Sequence, residues 1–187
     1  MLSNQITFFA LYHHSSSVPV YPIQMQVGGI LISDDALIFS FECRYQPDQI
    51  NVLLPEPTTP AARDFLWQHT CCEAFVALPD GKNYLEFNFS PSGCWAVYRF
   101  TDYRVRDESY VCAEASTVQC EPRADGFDLT ATISPKILPQ KSADESWQIG
   151  LTAVIETTDG QKSYWAMRHD APQPDFHLRS QFLLALP

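Results

Sequence analysis

The chain has 187 residues, of which 45% are hydrophobic and 18% are charged, and its formal net charge is −10. This composition is too apolar and too weakly charged for a disordered chain. The acidic balance argues against nucleic acid and anionic membrane surfaces as partners. No apolar run reaches the roughly 18 residues of a membrane-spanning helix. The length permits a sizeable core and favours one domain over residues 1–187.

The N-terminal segment and the cysteines bear on the cellular compartment. Residues 1–12 contain a short apolar stretch, without a basic leader or a small-residue cleavage site after it. We therefore expect a first strand there and a cytoplasmic protein. Cys71 and Cys72 are adjacent and no Cys-x-x-Cys pair occurs. Because the usual zinc and redox spacings are missing, we expect the six cysteines to be buried free thiols.

The first third of the chain shows a hydrophobic period of two. Residues 20–33 and 36–45 are apolar stretches joined by Ser33-Asp34-Asp35, which predicts a β-hairpin. Residues 46–63 contain four prolines. Since proline disfavours the interior of helices and strands, this segment is predicted to be a long ordered loop.

A β-meander is the clearest structural prediction. Residues 70–78, 83–89 and 94–100 read as strands, separated by the turn formers Pro79-Asp80-Gly81 and Ser90-Pro91-Ser92-Gly93.

Later elements complete an all-β pattern. Ser134 before Pro135 predicts one short helical turn at 134–138, and Asp159-Gly160 predicts a tight hairpin turn. About ten antiparallel strands with this single turn predict an all-β sandwich, with jelly-roll or immunoglobulin-like layers. The remaining strands are predicted at 110–120, 127–133, 147–157, 162–167 and 181–186.

Alternation sorts the side chains of the meander onto two faces. Leu85, Phe87 and Phe89 share one face of the middle strand, which we expect to be core. The opposite face presents a phenol, a carboxylate, an amide and a hydroxyl in line. Those residues are Tyr84, Glu86, Asn88 and Ser90, and the neighbouring strands and turn add His69, Cys71, Glu73, Arg99, Tyr103 and Arg104.

Such a combination of aromatic and planar polar groups suits sugar recognition. Sugar rings offer apolar C–H faces to aromatic rings, and their hydroxyls bind carboxylates, amides and guanidinium groups. The alternative interpretation is a solvated outer face of the sandwich. Trp95 and Trp147 are expected to be core anchors, whereas Trp67 and Trp165 lie beside loops, which leaves core and stacking roles open.

A second polar cluster follows the predicted strand at 162–167. His169, Asp170, Asp175 and His177 lie in a proline-containing loop, where functional groups are often displayed. A metal site would use His169, Asp175 and His177 with His69 as a fourth ligand, but no specific metal spacing supports it. Bracing of the loop by Asp175 and His177 is the alternative.

Signatures of catalysis are sparse. The sequence has no G-x-S-x-G, P-loop or G-x-G-x-x-G motif. Cys71 with His69 leaves a nucleophile pair open by spacing, although cysteines within strands are usually inert. Glu73 and Glu86 leave open a carboxylate pair for glycoside hydrolysis.

Several sequence segments resemble a known protein family. Residues 66–75, LWQHTCCEAF, and residues 84–93, YLEFNFSPSG, resemble a DOMON-like domain of the bacterial branch similar to family 9 carbohydrate-binding modules. Residues 95–104, 163–166 and 174–177 continue the resemblance.

The resemblance implies a β-sandwich that binds a sugar or a haem without catalysis. For a sugar, it implies Trp67 and Trp165 as platforms, with Glu73, Asn88 and either Arg99 or Arg104 as polar partners. For a haem, it implies Met167 with His169 or His177 as axial ligands.

The sequence thus favours a non-catalytic binding module for a carbohydrate or carbohydrate-like small molecule, with no metal and no cofactor. A haem-binding redox domain and a glycoside-acting enzyme are the alternatives. The candidate ligand-binding residues are Trp67, His69, Glu73, Tyr84, Glu86, Asn88, Arg99, Tyr103, Arg104, Trp165, His169, Asp175 and His177.

Overall fold

Twelve β-strands and three short 3-10 helices form the regular structure of the computed structural model, which describes residues 8–17, 23–33 and 36–187. The strands are β1 Phe9–His13, β2 Gln24–Ser33, β3 Ala36–Arg44, β4 Cys71–Ala77, β5 Tyr84–Phe89, β6 Trp95–Asp102, β7 Val105–Arg106, β8 Thr117–Arg123, β9 Gly126–Ile133, β10 Trp147–Glu156, β11 Lys162–Ala166 and β12 Leu184–Leu186. The 3-10 helices are Leu66–Gln68, Pro135–Ile137 and Arg179–Gln181.

The strands pair in the order β7-β6-β5-β4-β10-β11-β1-β2-β3-β9-β8, and β12 pairs with β10. Every pairing is antiparallel. Strand β1 joins the two layers, because Tyr12 lies opposite Ala166 of β11 while Phe9 lies opposite Val27 of β2. The predicted all-β antiparallel sandwich is confirmed; its jelly-roll or immunoglobulin-like topology stays a prediction.

The main core lies between the layers and is almost entirely apolar. Phe39 and Phe41 of β3 face Phe89 of β5, with ring centroids 6.2 and 6.5 Å apart. These three rings and Phe87 are fully buried. Since full burial of one such side chain stabilises the fold by about 1.5–3 kcal/mol, this layer contact supplies much of the stability.

A second buried cluster lies on the other face of the same meander. Phe75, Tyr84 and Phe100 come from β4, β5 and β6, and Phe176 and Phe182 come from the C-terminal segment. That segment covers part of the outer face of the sheet, so the interpretation of this face as solvated is wrong.

Most of the predicted elements are present, although some strands begin or end at other residues than predicted. The meander, the helical turn at Pro135–Ile137 and the hairpin turn at Gly160 (φ 82°) are confirmed. Residues 46–63 form the expected loop, held by isolated bridges from Val52 to Thr157 and from Ala62 to Trp95.

Two predicted strands are too long. The strand expected at 110–120 runs instead from Thr117 to Arg123, and it is preceded by a turn in which Asp107 Oδ1 accepts from the Ser109 backbone N–H at 3.0 Å. The strand expected at 181–186 begins at Leu184, after the 3-10 helix that ends at Gln181.

Parts of the N-terminal predictions lie outside the described residues: residues 1–7, residues 18–22 and the turn Asp34-Asp35. All six cysteines are free, and four of them are buried. Among the described residues, no helix is long and apolar enough to span a membrane.

Candidate ligand-binding site

A cavity of about 380 Å³ opens on the outer face of the meander, where the second cluster leaves part of the sheet uncovered. Its floor consists of side chains that alternate with the main-core residues. Glu73 and Phe75 come from β4, Glu86 from β5, and Tyr98 and Phe100 from β6. The pairing of Phe75 with Glu86, and of Glu86 with Tyr98, aligns these side chains across three strands.

The rim of the cavity consists of loops and short elements. The 3-10 helix Leu66–Gln68 presents Trp67, whose side chain is 46% exposed. Phe65 precedes it, Arg104 and Arg106 come from the β6–β7 turn and β7, and His177 comes from the C-terminal segment. Exposed aromatic rings therefore stand above a floor that contains two carboxyl groups.

Two rim residues have left-handed backbone conformations, Phe65 at φ 64° and Arg104 at φ 55°. Non-glycine residues adopt this region rarely, and such strain persists where the surroundings hold it. Here the Phe65 backbone N–H donates to the Tyr98 hydroxyl at 3.3 Å, and the Arg104 backbone N–H donates to the Tyr84 hydroxyl at 3.1 Å. Phenols of the sheet therefore hold both turns at the cavity.

The two carboxyl groups of the floor are buried and hydrogen-bonded. Thr152 Oγ1 donates to Glu73 Oε2 at 3.2 Å, and Asn88 Nδ2 donates to Glu86 Oε1 at 2.7 Å. Burial raises the pKa of Glu73 well above its usual range, and the nearby Glu86 raises it further. Burial also raises the pKa of Glu86 to about 7, although the Asn88 hydrogen bond opposes the shift. Burial therefore favours the protonated, donating form of Glu73, beside a group that titrates near neutrality.

His177 links the floor to the rim as a neutral imidazole. Burial, followed by the charge of Arg104, lowers its pKa to about 4. Its Nδ1 lies 2.7 Å from the Tyr84 hydroxyl, and its Nε2 lies 3.7 Å from Glu86 Oε2. Because the imidazole is neutral, one ring nitrogen carries the proton and the other accepts.

Asp175 fixes the arginine side of the rim. Its Oδ1 accepts from Arg104 Nη2 at 2.8 Å and from the His177 backbone N–H at 3.1 Å, and its Oδ2 accepts from the Tyr103 hydroxyl. Although burial would raise the pKa of Asp175, the bonds from Tyr103 and Arg104 lower it. An ionised carboxylate thus ties the C-terminal segment to the β6–β7 turn.

The structure brings many of the sequence-predicted residues together. Trp67, Glu73, Glu86, Arg104 and His177 line the cavity. Behind them, Tyr84, Asn88 and Asp175 hold lining side chains through hydrogen bonds, and Tyr103 in turn bonds Asp175.

The prediction that Trp165 and Arg99 bind the ligand is wrong, because both face away from the cavity. Trp165 is 5% exposed, belongs to the main core and donates from Nε1 to Ser163 Oγ at 2.8 Å, so it is no stacking platform. Arg99 lies opposite Leu85 and therefore belongs to the other face, where its Nη2 bonds Asp107 Oδ2 at 2.6 Å. Alternation assigns both residues to the face away from the cavity.

His69 and His169 also lie outside the cavity lining. His69 Nδ1 bonds Glu156 Oε2 at 2.7 Å, and its side chain is directed to solvent. His169 donates from Nε2 to the Tyr12 carbonyl at 2.8 Å and serves to hold the C-terminal segment against β1.

Other residues of the lining were missed by the sequence analysis: Phe65, Tyr98, Arg106, Tyr164 and Phe176. Alternation in β11 places Tyr164 and Trp165 on opposite faces, but it does not say which of the two faces meets the cavity. Arg106 could be found only through the short β7 pairing, in which it lies opposite Phe100.

The alternative chemistries find little support in these contacts. Among the described residues, no group of three His, Cys, Asp or Glu side chains could hold a metal ion. Cys71 is fully buried and its pKa is raised well above the usual range, chiefly by burial, so it is a protonated thiol. For a haem, Met167 packs against the main core while His177 lines the cavity on the other face of the layer, so these two do not converge.

Comparison with known proteins gives similarity at the level of structure. No protein-family model matches the chain, and no curated protein sequence matches it. A protein from Bacteroides uniformis whose proposed role is carbohydrate binding aligns with a TM-score of 0.62 at 11% identity, over 95% of this chain and 84% of that one. A family 9 carbohydrate-binding module from Caldicellulosiruptor kristjanssonii, in complex with cellotriose, aligns with a TM-score of 0.52 at 10% identity, over 87% of this chain and 72% of that one. At these identities the likeness shows that the chain has the β-sandwich fold of these proteins, and it shows the fold alone.

Proposed function

We propose that the protein is a non-catalytic module that binds a carbohydrate or carbohydrate-like small molecule in the meander cavity. The observation that carries the proposal is the position of Trp67, a half-exposed ring at the mouth of a cavity whose floor holds Glu73 and Glu86. A sugar ring presents an apolar C–H face to such a ring while its hydroxyls reach polar groups.

The polar groups of the cavity suit hydroxyls because they include both donors and acceptors. Burial favours the protonated, donating form of Glu73, Glu86 has an oxygen that does not bond Asn88 and can accept, and neutral His177 adds a ring nitrogen. A hydroxyl needs partners of both kinds to replace its bonds to water, since an unpaired buried polar group costs about 1–3 kcal/mol. The volume of about 380 Å³ lies within the range of small-molecule sites.

The fold supports this proposal at a coarse level, since the aligned Caldicellulosiruptor kristjanssonii module was solved with cellotriose. The finer assignment to the DOMON-like branch rests on the sequence segments at residues 66–75 and 84–93. A single domain over residues 1–187 and a cytoplasmic location stay predictions.

The test is a calorimetric titration of the purified protein with a panel of monosaccharides and short oligosaccharides. We expect at least one to bind, and Trp67→Ala to weaken its binding by roughly tenfold or more, about 1.4 kcal/mol. Phe8→Ala removes another partly exposed ring, beside a cavity on the opposite layer, and serves as the matched control with unchanged affinity. The proposal fails if no saccharide binds, or if Trp67→Ala binds as well as the wild type. Recovery of the saccharide unaltered after long incubation tests the absence of catalysis.

A further inference from the structure

We propose that Arg106 makes this site prefer sugar units that carry an anionic group, a carboxylate or a phosphate, over neutral sugars. This inference rests on the proposed carbohydrate-binding function and names the ligand class of the same cavity. It assigns a recognition role to a residue that lies two positions beyond Arg104, on the two-residue strand β7.

The β6–β7 hairpin places the Arg106 side chain on the cavity face. Left-handed Arg104 allows the tight turn from Asp102 to Val105, and the pairing then sets Arg106 opposite Phe100. The guanidinium carbon lies 4.2 Å from the ring centroid of Tyr98, within the range of a cation–π contact. Stacking on a floor residue orients the planar group toward the cavity before any ligand arrives.

The hydrogen-bonding groups of Arg106 are not committed to the protein. Arg99 bonds Asp107 at 2.6 Å, and Arg104 bonds Asp175 at 2.8 Å. Within the described ranges, by contrast, no hydrogen bond engages the Arg106 guanidinium. Its nearest acidic atoms are 3.5 and 3.7 Å away, on residues whose side chains are largely exposed.

These weak ion pairs are readily exchanged for a ligand. The two residues are Asp64, which already accepts from the Tyr98 hydroxyl at 2.9 Å, and Glu108. Surface ion pairs contribute about 0–1 kcal/mol, because water and salt screen them. A ligand carboxylate or phosphate within the partly desolvated cavity would form two parallel N–H···O bonds with the guanidinium fork, which are stronger and more selective.

The rest of the cavity tolerates such an anion. Burial favours the protonated form of Glu73, which adds a donor to the floor instead of a negative charge. Glu86 is the acidic lining residue that titrates near neutrality, and Arg104 lies on the same rim. An anionic group at the Arg106 side therefore meets Arg104, which is bonded to Asp175, and Arg106, which has only weak ion pairs.

Matched sugar pairs test the inference. The probes are glucose against glucuronate and galactose against galacturonate, which differ only in oxidation at C6, with glucose 6-phosphate as the phosphate arm. We expect the wild type to bind one anionic sugar at least about tenfold more tightly than its neutral partner. Arg106→Gln should remove the preference while neutral-sugar binding persists, and Arg106→Lys should retain part of it. Arg99→Gln, which removes a guanidinium on the other face, is the control.

The outcomes separate this inference from the function on which it rests. If neutral sugars bind as well as their anionic partners, or if Arg106→Gln keeps the preference, the inference is wrong while the sugar site stands. If no sugar of either kind binds, both fail. A preference confined to the carboxylate or to the phosphate arm supports the inference and identifies the group. Circular dichroism of Arg106→Gln verifies its fold.

Discussion

The two faces of the β4–β5–β6 meander share the same strands and the same hydrogen-bond ladder, yet one packs in the core and the other forms the cavity. The inner face carries Phe87 and Phe89, which pack against the opposite layer. The outer face carries Tyr84, Glu86 and Asn88, which are at most 6% exposed. Burial therefore does not distinguish the two faces. What distinguishes them is that the outer face buries polar groups with partners and opens into a cavity.

This difference has an energetic consequence. The inner face gains free energy from apolar burial, whereas the outer face gives up part of that gain to hold carboxyl groups out of water. Hydrogen bonds from Thr152 and Asn88 offset part of the cost. A fold that retains such a cost at a cavity is typical of binding sites, where function and stability trade against each other.

The largest expected effect comes from the main core between the two layers. Trp165→Ala removes a buried indole from the main core and should lower the free energy of unfolding by about 3–5 kcal/mol. Denaturant unfolding measures the change. Trp67→Ala is the matched control, because its ring is half exposed and its loss should shift stability by roughly 0.5 kcal/mol or less. Equal losses in the two variants would contradict the assignment of the faces.

The next effect concerns the buried acid of the outer face. Burial raises the pKa of Glu86 from 4.5 to about 7, so between these values the folded state binds more protons than the unfolded state. The contribution of Glu86 to the free energy of unfolding therefore falls as pH rises from about 4.5 to 7. Glu86→Gln keeps an acceptor for Asn88 without the charge, and should be more stable than the wild type at pH 8, by on the order of 3 kcal/mol.

The measurement is denaturant unfolding of both proteins at pH 5 and pH 8. The stability advantage of Glu86→Gln should shrink at pH 5, where the wild-type carboxyl is already protonated. Glu121→Gln, at an exposed position, is the control. An advantage that is the same at both pH values would show that Glu86 is not held in a desolvated environment.

A smaller effect is expected for the hydroxyl that joins floor and rim. Tyr84→Phe keeps the ring stacked on Phe100, at a centroid distance of 4.8 Å, but removes the bonds to His177 and Arg104. Leaving these partners unpaired should cost about 1–2 kcal/mol of unfolding free energy. Thermal or denaturant unfolding checks the loss, with Tyr12→Phe, at a position that is 62% exposed, as the control. A Tyr84→Phe variant as stable as the wild type would contradict the proposed link.

The part of this arrangement that can be predicted from the sequence follows from two signals, the alternation of side chains and the residues that form turns. Period-two patterns between proline- and glycine-containing turns were enough to identify β4, β5 and β6 and to separate Glu86 from Phe87. They could not tell which face of β11 meets the cavity, because Tyr164 and Trp165 are both aromatic and both faces of the layer are covered. Only the position of the distant C-terminal segment decides that question.

Arg106 of the rim escaped the sequence analysis for a different reason. Strand β7 has two residues, Val105 and Arg106, which is too short to show any period. The turn before it depends on a left-handed Arg104, a conformation that sequence patterns assign to glycine or asparagine. Tertiary contacts from Tyr84 and Asp175 override that preference, and they bring Arg106 to the cavity.

In the proposed function, a sugar binds beside Trp67 on the outer face and leaves the inner face undisturbed. Indole N–H resonances in a proton–nitrogen NMR spectrum test it directly, with Trp67→Phe for assignment and the tightest-binding saccharide of the panel as titrant. We predict that the Trp67 resonance shifts on titration, while the resonances of Trp147 and Trp165 stay in place. Both of these indoles are bonded within the protein, Trp147 to the Pro139 carbonyl at 2.9 Å and Trp165 to Ser163. A shift of the Trp165 resonance with an unmoved Trp67 resonance, or no shift in any indole, would contradict the account.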